Sequence, residues 1–503
     1  MLKINNEIIK QQPNFWNHCI FHPTDAVEDP WGKRILDQMA VDKACQVVRI
    51  YAMFEDIFYL DGEDNLQCDF RINDLRLDYL LEKGFTPLIA YGLMPEWLAS
   101  DKNAVSTVAK NKTRYKGKMI NNSIPTDHSK WEEMCYLYTK HIVERYGEDE
   151  VSKWYAQCYN EPDNGDFFIK FKENHKDQST YLERQAYRVG EYCKLYKGFN
   201  SGILKATDKL KFGGPVIAQS YFFLSGFLDF VKENNCRLDF IAVHDYGTHV
   251  SHLNNGTKPI SVKNSIEIQE KYCEIAREHG FENTPFIVDE WGASGAGFYN
   301  IEECPSLIFR ETEVYSSYYA RLIADYIKND FNVDKMMICL SGQHEMVEDF
   351  SGFRNFFTLN FIRKPIYNAF CLAAKLHEGL LSYETENDNI FAVPTKDENG
   401  RLAVLLTYSG EYFEEDIPEI EESVTFEDNI IGKTVIVWCI DKTTANPYRL
   451  AQSKGIGKNP TKEEIALLRE EGGLKPIAEF KCDDNAKITL KLTPNCTYLV
   501  EVK

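Results

Sequence analysis

Hydrophobic and polar positions divide most of the chain into short apolar runs separated by longer amphipathic stretches. The apolar runs are nearly continuous rather than alternating, which is typical of strands buried on both faces of a parallel sheet. Eight such strands are predicted, at residues 15–21, 45–54, 85–94, 151–160, 210–218, 238–246, 285–291 and 334–342. Apolar residues recur at helical spacing between them and predict helices at residues 131–147, 182–199, 265–280 and 312–330.

Eight strands alternating with helices over the first ~370 residues predict an α/β fold, a (β/α)8 TIM barrel. The alternative is a doubly wound open sheet, in which a glycine-rich GxGxxG turn usually follows the first strand. No such motif occurs in the chain. We therefore expect the barrel, with its functional residues at the carboxyl ends of the strands.

The pattern changes near residue 378. The following runs are short and alternating, with turn residues between them: NIFAVPT, RLAVLLTY, TVIVWCI, KITLKL and CTYLVEV. They predict an antiparallel β-sandwich, interrupted by one helix near 461–472 with Thr461 and Glu464 as a capping box. We expect residues 1–14 to form an N-terminal strand packed on the sandwich, 15–375 the barrel, and 376–503 the β-sandwich accessory domain.

The composition is that of a globular protein, with 44% hydrophobic and 27% charged residues among 503. The formal net charge of −20 argues against nucleic acid and anionic membrane surfaces, because both require basic patches. No apolar run reaches the ~18 residues that span a bilayer, and the start MLKINNEIIKQQPNFW lacks a signal-peptide core. Fourteen cysteines without a CxxC pair are expected to be reduced, so we predict a cytoplasmic protein.

Two glutamates end opposed strands of the predicted barrel. Glu161 ends the fourth strand in YNEPD, and Glu290 ends the seventh in PFIVDEW. Strands four and seven face each other across an eight-stranded barrel, so the two carboxyl groups are expected to approach one substrate from opposite sides. Cleavage of a glycosidic bond requires such a pair. One acid protonates the leaving oxygen, and the other carboxylate attacks the anomeric carbon or activates a water that does.

Residues near the pair fit a carbohydrate ligand. The amide of Asn160 can bind a sugar hydroxyl beside the reacting carbon. The aromatic rings of Trp97, Trp291 and Tyr246 lie at or near strand ends and can pack on the apolar face of a sugar. Ordinary core packing is the alternative interpretation of each ring. Strand alternation should direct Asp289 to the face opposite Glu290, where it would be structural.

We expect no metal and no organic cofactor. The only local histidine cluster, His244, His249 and His252 in HDYGTHVSH, has neither a nearby cysteine nor an HExxH pattern. Asp163 and Asp166, in the loop after Glu161, are expected to be solvated.

Most of the chain resembles glycoside hydrolase family 39. The similar segments are RYGEDEVSKWYAQCYNEP, GFTPLIAYGLMPEWLAS, FLDFVKENNCRLDFIAVHDY, IRKPIYNAF and NPYRLAQSKGIGKNPTKEEIALLREEGGLKP. The resemblance implies a retaining exo-glycosidase with Glu161 as general acid/base and Glu290 as nucleophile. It also implies that His244, Tyr246 and Asn160 contact the sugar. The best-known activities of the family are β-xylosidase and α-L-iduronidase.

The chain departs from the family pattern in two strands. The second strand reads RIYAMF, so Tyr51 stands where the family usually has the histidine of an Arg-x-His-Gly run. The eighth reads ICLSGQHEMVEDF, so Gln343 and Glu345, with His344 between them, replace the expected contacts. The resemblance therefore implies the reaction but leaves the sugar open.

The predicted function is a retaining, exo-acting glycoside hydrolase that works by double displacement. We expect a β-xylosidase-like enzyme whose partner is a small carbohydrate, a plant-derived oligosaccharide or glycoside. The alternatives are the same pair acting on a β-glucoside, an arabinoside or a uronide, a transglycosylase, and a carbohydrate-binding protein on an inactive barrel. A homo-oligomer formed through the sandwich surface is a further expectation.

Overall fold

A computed structural model gives the positions of most of the chain. It describes residues 1–21, 27–106, 114–115, 118–171, 180–295, 297–342, 345–483 and 486–503. The strands are β1 (Leu2–Gln11), β2 (His18–Phe21), β3 (Val47–Tyr51), β4 (Phe58–Leu60), β5 (Leu66–Cys68), β6 (Thr86–Tyr91), β7 (Arg114–Tyr115), β8 (Lys118–Met119), β9 (Tyr155–Cys158), β10 (Lys211–Ile217), β11 (Phe240–Asp245), β12 (Phe286–Trp291), β13 (Val333–Leu340), β14 (Gly379–Glu384), β15 (Ile390–Lys396), β16 (Leu402–Tyr408), β17 (Ile420–Phe426), β18 (Thr434–Ile440), β19 (Pro476–Lys481), β20 (Lys487–Leu492) and β21 (Cys496–Val502).

The helices lie between these strands. They are α1 (Pro30–Asp42), α2 (Phe54–Ile57), α3 (Arg71–Glu82), α4 (His128–Tyr146), α5 (Glu148–Val151), α6 (Tyr181–Ala206), α7 (Tyr221–Glu233), α8 (Val250–Asn255), α9 (Val262–His279), α10 (Glu313–Lys328), α11 (Pro365–Ala373), α12 (Pro447–Lys454) and α13 (Lys462–Glu471), with a 3₁₀ helix at Pro305–Glu311. Among the described residues, no helix is both long and apolar enough to cross a membrane.

Eight parallel strands close into a barrel, which confirms the predicted fold. In chain order they are β2, β3, β6, β9, β10, β11, β12 and β13, and neighbours in this order are hydrogen-bonded to each other. The lower interior is apolar, filled by side chains such as Val47, Leu88, Ala242, Ile287 and Met337. Helices cover each strand on the outside of the barrel, and side chains cover it on the inside. Both faces of the strand are therefore buried, which explains the nearly continuous apolar runs in the sequence.

The second sheet is antiparallel apart from one pair of strands. Its nine strands run in the order β19-β18-β21-β16-β15-β14-β1-β17-β20. One core, which includes Leu2, Val424, Val437 and Leu490, draws on strands from both ends of this order, so the sheet curls around that core as a sandwich does. Strand β1 joins it by pairing antiparallel with β14 and parallel with β17.

The second sheet carries a pair of helices where the sequence predicted one. The capping box at Thr461 and Glu464 is present and begins α13. The additional helix is α12, which starts with Pro447 and is capped by the side chain of Asn446. Together they pack on the loop between β13 and α11 through Phe350, Ile362, Ala451 and Leu468.

Candidate active site

A bulge at the end of β12 turns two consecutive carboxylates into the barrel. Val288 pairs with Val243 of β11 and with Met336 of β13, whereas Glu290 already pairs with His244, the residue after Val243. The one extra residue in β12 breaks the alternation, and bulges of this kind re-aim side chains next to active sites. The prediction that Asp289 faces away from Glu290 is therefore wrong. Both carboxylates contact the guanidinium of Arg49.

A turn after β9 directs Asn160 and Glu161 to the same place. Tyr159 and Glu161 adopt φ of 67° and 41°, a left-handed conformation that side chains other than glycine seldom take. The Glu161 N–H donates to the Val216 carbonyl at 2.8 Å, which fastens this turn to β10. Pro162 lacks the N–H that a continuing strand would need.

Asp163 anchors the turn that carries Glu161. It is 7% exposed, and its carboxylate accepts backbone N–H bonds from Ala218, Gln219 and Ser220 at 2.8, 3.0 and 2.9 Å. The expectation that Asp163 is solvated is therefore wrong. The carboxylate binds three consecutive amides that lead into the N-terminus of α7, whose dipole favours negative charge.

The two glutamates and His244 form one buried cluster. A carboxylate oxygen of Glu161, a carboxylate oxygen of Glu290 and a ring nitrogen of His244 all lie within 4.8 Å of one another. His244 Nδ1 is 2.9 Å from Glu161 Oε1, and Asn164 donates to Glu161 Oε2 at 2.8 Å. Residues Glu161 and Glu290 are only 8% and 5% exposed, so water screens the charges of their carboxyl groups weakly.

Arg49 and Tyr51 of β3 connect the Glu290 side of the cluster to Asn160. Arg49 donates to Glu290 Oε1 at 2.7 Å and to Asn160 Oδ1 at 2.6 Å, and the Tyr51 hydroxyl donates to Asn160 Oδ1 at 2.9 Å. These bonds fix the Asn160 amide with its oxygen toward the protein. Its NH2 group is left to donate to a ligand, as the predicted sugar contact requires.

Tyr246 and Arg354 border the other side of Glu290. The Tyr246 hydroxyl donates to Glu290 Oε2. The Arg354 guanidinium lies 4.5 Å from the centre of the Tyr246 ring and donates to the Cys339 thiol at 2.9 Å. Within the described part of the chain, its Nε and Nη1 are buried without a hydrogen-bond partner, which is costly for a charged group unless a ligand binds there.

The electrostatics shift the pKa values of the two glutamates in opposite directions. Burial raises the pKa of Glu161, and the charge of Glu290 raises it further against the effect of His244. Burial also opposes ionisation of Glu290, but the charges of His244 and Arg49 and the Tyr246 hydroxyl hold its pKa well below the ordinary value. For His244, burial is outweighed by Glu290 and Asp289, which raise its pKa to about 10.

Two positive groups compete with a cation for this cluster. Glu161, His244 and Glu290 offer three donor atoms within metal-ligand reach of one another. A His244 pKa of about 10 keeps both ring nitrogens protonated at neutral pH, and a metal needs one of them free. The guanidinium of Arg49 already lies 2.7 Å from Glu290 Oε1, where a cation would have to bind.

The predicted site residues divide into those within the cluster and those outside it. The structure brings together Glu161, Glu290, Asn160, His244, Tyr246 and Tyr51. Trp291 is 1% exposed and stacks on Tyr319 of α10, so it packs between barrel and helices. Trp97 is half-buried, and its indole N–H donates to the Phe58 carbonyl at 2.9 Å.

The last two predicted site residues, Glu345 and Gln343, follow β13 in the sequence. Glu345 is 6% exposed, and its backbone N–H donates to the Gly342 carbonyl at 3.1 Å. Gln343 lies outside the described residues.

Sequence reasoning missed four residues at the site: Arg49, Asp289, Arg354 and Cys339. An arginine within the apolar run CQVVRIYAMF was a usable signal, because a charge in a strand buried on both faces needs a partner. The others carried no local signal. Asp289 faces inward only because of the bulge, and Arg354 comes from a loop beyond the last barrel strand.

The protein has the architecture of a glycosidase. Two buried carboxyl groups, one directly after β9 and one on β12, face each other at the end of an eight-stranded barrel. The chain belongs to glycosyl hydrolases family 39, whose family model matches residues 2–482. It therefore acts on carbohydrate substrates.

One relative and one solved structure align along nearly the whole chain, and another relative aligns along about a third of it. A beta-xylosidase from Caldicellulosiruptor saccharolyticus is 25% identical over 512 residues, 97% of this chain and 95% of the relative. The crystal structure of a monomeric beta-xylosidase from Caulobacter crescentus CB15 superposes with a TM-score of 0.81 at 18% identity, covering 100% of this chain and 99% of the other. The alpha-L-iduronidase of Mus musculus is 25% identical over 174 residues, 32% of this chain and 23% of the relative.

Proposed function

We propose that the chain is a retaining, exo-acting glycosidase in which Glu161 is the general acid/base and Glu290 the nucleophile. The supporting observation is the separation of the carboxyl groups, with oxygens of Glu161 and Glu290 within 4.8 Å of each other. Retaining glycosidases have carboxyl groups about 5–5.5 Å apart, whereas inverting enzymes need about 6.5–9.5 Å to admit a water between carboxylate and sugar.

In the first step, the Glu161 proton moves to the glycosidic oxygen as the bond from that oxygen to the anomeric carbon breaks. A Glu290 oxygen bonds to the anomeric carbon, and the aglycone leaves as an alcohol. The opposed pKa shifts favour the required starting states, a protonated Glu161 and an ionised Glu290. Each oxygen of Glu161 accepts one protein hydrogen bond, which leaves lone pairs for the acidic proton.

In the second step, Glu161 takes a proton from a water whose oxygen attacks the anomeric carbon. The bond from that carbon to Glu290 breaks, and the sugar leaves with retained configuration. The charge of Glu290 is one of the causes that raise the pKa of Glu161. Esterification removes that charge, so the pKa of Glu161 falls in the intermediate and the same residue becomes a base.

For the substrate we propose β-xylosides from plant-derived oligosaccharides or glycosides. Support comes from the beta-xylosidase relative that aligns over 97% of this chain. The test is a panel of p-nitrophenyl glycosides of both anomers, covering pentoses, hexoses and uronates, with NMR of the first product anomer formed. We expect β-xyloside to have the highest kcat/KM and the β-anomer to appear first. Initial release of the α-anomer from a β-glycoside would overturn retention.

Arg354 favours a uronide as the second candidate substrate. Among the described residues, Nε and Nη1 of its guanidinium have no hydrogen-bond partner beside Tyr246, and a buried guanidinium forms strong charge-assisted hydrogen bonds with a carboxylate. If a uronide is the substrate, Arg354→Gln should lower kcat/KM for the p-nitrophenyl uronide about tenfold or more, by the loss of a charge-assisted bond. The value for a neutral pentoside should change little. An equal loss of kcat/KM on both substrates would show that Arg354 maintains the structure of the site and does not bind a substrate carboxylate.

We also propose a cytoplasmic location, because all fourteen cysteines lie in the described part of the chain and none forms a disulfide. That the chain forms a homo-oligomer stays a prediction.

A further inference from the structure

A cavity of about 230 Å³ lies where the helices of the second sheet meet the barrel. Helix α1, the segment before α11, and helix α13 each contribute a wall. Its polar lining comes from Arg34, Gln38, Arg363 and Arg469, and its apolar lining includes Phe361 and Leu468. Three guanidinium groups around one cavity are unusual in a chain whose formal net charge is −20.

Among the residues that the structure describes, a carboxylate pairs with only one of the three arginines. Arg363 forms an ion pair with Asp42 at 2.9 Å. Arg469 donates to the Asn360 carbonyl, and Arg34 rests on the Phe361 ring at 3.9 Å. Within the described ranges of the chain, neither Arg34 nor Arg469 makes an ion pair with a carboxylate.

The neighbouring acid on α1 does not supply the missing charge. Asp37, three residues after Arg34, forms an ion pair with Lys83 at 2.9 Å. Arg34 and Arg469 are also close enough to repel each other. Burial and the charge of Arg469 together lower the pKa of Arg34. Both side chains are exposed at the mouth of the cavity, so water screens part of their repulsion, and an anion bound between them would remove the rest.

We propose that this cavity binds the phosphoryl group of a small metabolite, held between Arg34 of the barrel and Arg469 of helix α13. Two uncompensated guanidinium groups match a dianion, and each can donate two parallel hydrogen bonds to phosphate oxygens. The ring of Phe361 orients the Arg34 guanidinium and stacks in turn on Phe357 at 4.0 Å. The proposal does not depend on the glycosidase reaction.

The size of the cavity limits the occupant. Pockets for drug-sized ligands have volumes of about 300–1,000 Å³, whereas this one has about 230 Å³. Inorganic phosphate fits, and so does the phosphate end of a sugar phosphate. Because the barrel and helix α13 hold the same group, binding should tighten the attachment of the α12–α13 pair to the barrel.

The test is calorimetric titration of the full chain with inorganic phosphate at constant ionic strength. We expect one saturable site per chain, weakened about tenfold or more in Arg34→Gln and in Arg469→Gln by the loss of charge-assisted bonds. Lys462→Gln removes one exposed charge from the same helix and should bind phosphate as the unchanged protein does. The absence of saturable binding, equal binding in the arginine variants, or equal weakening in Lys462→Gln would each overturn the proposal.

Two further measurements identify the ligand and exclude a structural explanation. Tighter binding of a hexose phosphate than of phosphate identifies a sugar phosphate as the occupant, and equal binding identifies phosphate itself. Binding of glucuronate without binding of phosphate would contradict the phosphoryl assignment. Without phosphate at low salt, Arg34→Gln should not lower the Tm, because the repulsion between Arg34 and Arg469 is removed. A lower Tm there, together with unchanged phosphate binding, would mean that Arg34 only packs on Phe361.

Discussion

His244 Nδ1 lies 2.9 Å from Glu161 Oε1, and His244 Nε2 lies 3.5 Å from Asp289 Oδ2. Glu161, which follows β9, is thereby connected through one imidazole to the buried carboxylate of Asp289, the neighbour of Glu290 on β12. Because the pKa of His244 is raised to about 10, the ring is cationic at neutral pH and stabilises negative charge on both sides. The residue implied by the family resemblance to contact sugar therefore also sets the protonation states of the pair.

We predict that His244→Gln shifts the pH dependence of kcat/KM toward alkaline pH at both limbs. The cation lowers the pKa of Glu161 and of Glu290, so its removal should raise both. Full pH profiles of the variant and the unchanged protein measure the two limbs. Loss of activity at all pH values with unmoved limbs would mean that His244 binds substrate but does not tune the pair.

We predict that Glu161→Ala lowers kcat about 10²–10⁴-fold on glycosides with poor leaving groups, the usual contribution of a general acid. Aryl glycosides with good leaving groups need no protonation and should retain a fast first step. Azide should restore turnover and yield a glycosyl azide, because it attacks without a base. Asp166→Ala is the matched control, since the Asp166 side chain pairs with Lys170. Equal losses on both classes of substrate would contradict the acid role.

We predict that Glu161 controls the alkaline limb and Glu290 the acidic limb of the pH profile. Glu161 must be protonated, so its raised pKa extends activity to higher pH than an ordinary carboxyl group would allow. Glu290 must be ionised, so its lowered pKa extends activity to lower pH. In Glu161→Gln, assayed with an activated aryl glycoside, the alkaline limb should disappear and the acidic limb should remain. Persistence of the same alkaline limb would assign it to another group.

We predict that Asp163→Ala slows catalysis without removing a group that touches substrate. Three backbone N–H groups of residues 218–220 would lose their acceptor, at a cost of about 1–3 kcal/mol for an unsatisfied donor. The turn holding Glu161 would loosen, so kcat should fall more than KM rises, and Asp163→Asn should restore part of the rate. Steady-state kinetics and the denaturation midpoint measure both effects. An unchanged kcat in a destabilised variant would mean that Asp163 contributes to stability but not to catalysis.

We predict that Lys364→Met destabilises the protein by about 3–5 kcal/mol, the usual effect of breaking a buried ion pair from one side. Lys364 Nζ lies 2.6 Å from Glu311 Oε1, and these side chains are 2% and 1% exposed. The double variant Lys364→Met, Glu311→Leu should recover much of the loss, because no charge remains unpaired. Denaturant midpoints form the double-mutant cycle. A double variant no more stable than Lys364→Met would contradict a pairwise interaction.

The barrel could be predicted from the sequence because burial on both faces leaves a strong pattern. All eight runs became barrel strands, although the run 151–160 yielded only the strand Tyr155–Cys158, after the helix Glu148–Val151. Helix α12 was missed despite a usable signal, since Asn446 followed by Pro447 is a common helix start.

The site was only partly predictable, because two local irregularities override strand alternation. The bulge in β12 brings Asp289 inward beside Glu290 and leaves Trp291 facing helix α10. The positive φ of Glu161 brings two consecutive residues to one site in the same way. Arg354 reaches Tyr246 from a loop, and no periodic pattern encodes such a contact.

Trapping the intermediate tests the central claim most directly. A 2-deoxy-2-fluoro β-xyloside with a good leaving group should inactivate the enzyme with one sugar per chain, because the fluorine slows both steps and the good leaving group speeds only the first. Peptide mass spectrometry should place that sugar on Glu290, and Glu290→Gln should take up none. A label on any other residue, or full turnover by Glu290→Gln, would contradict the account.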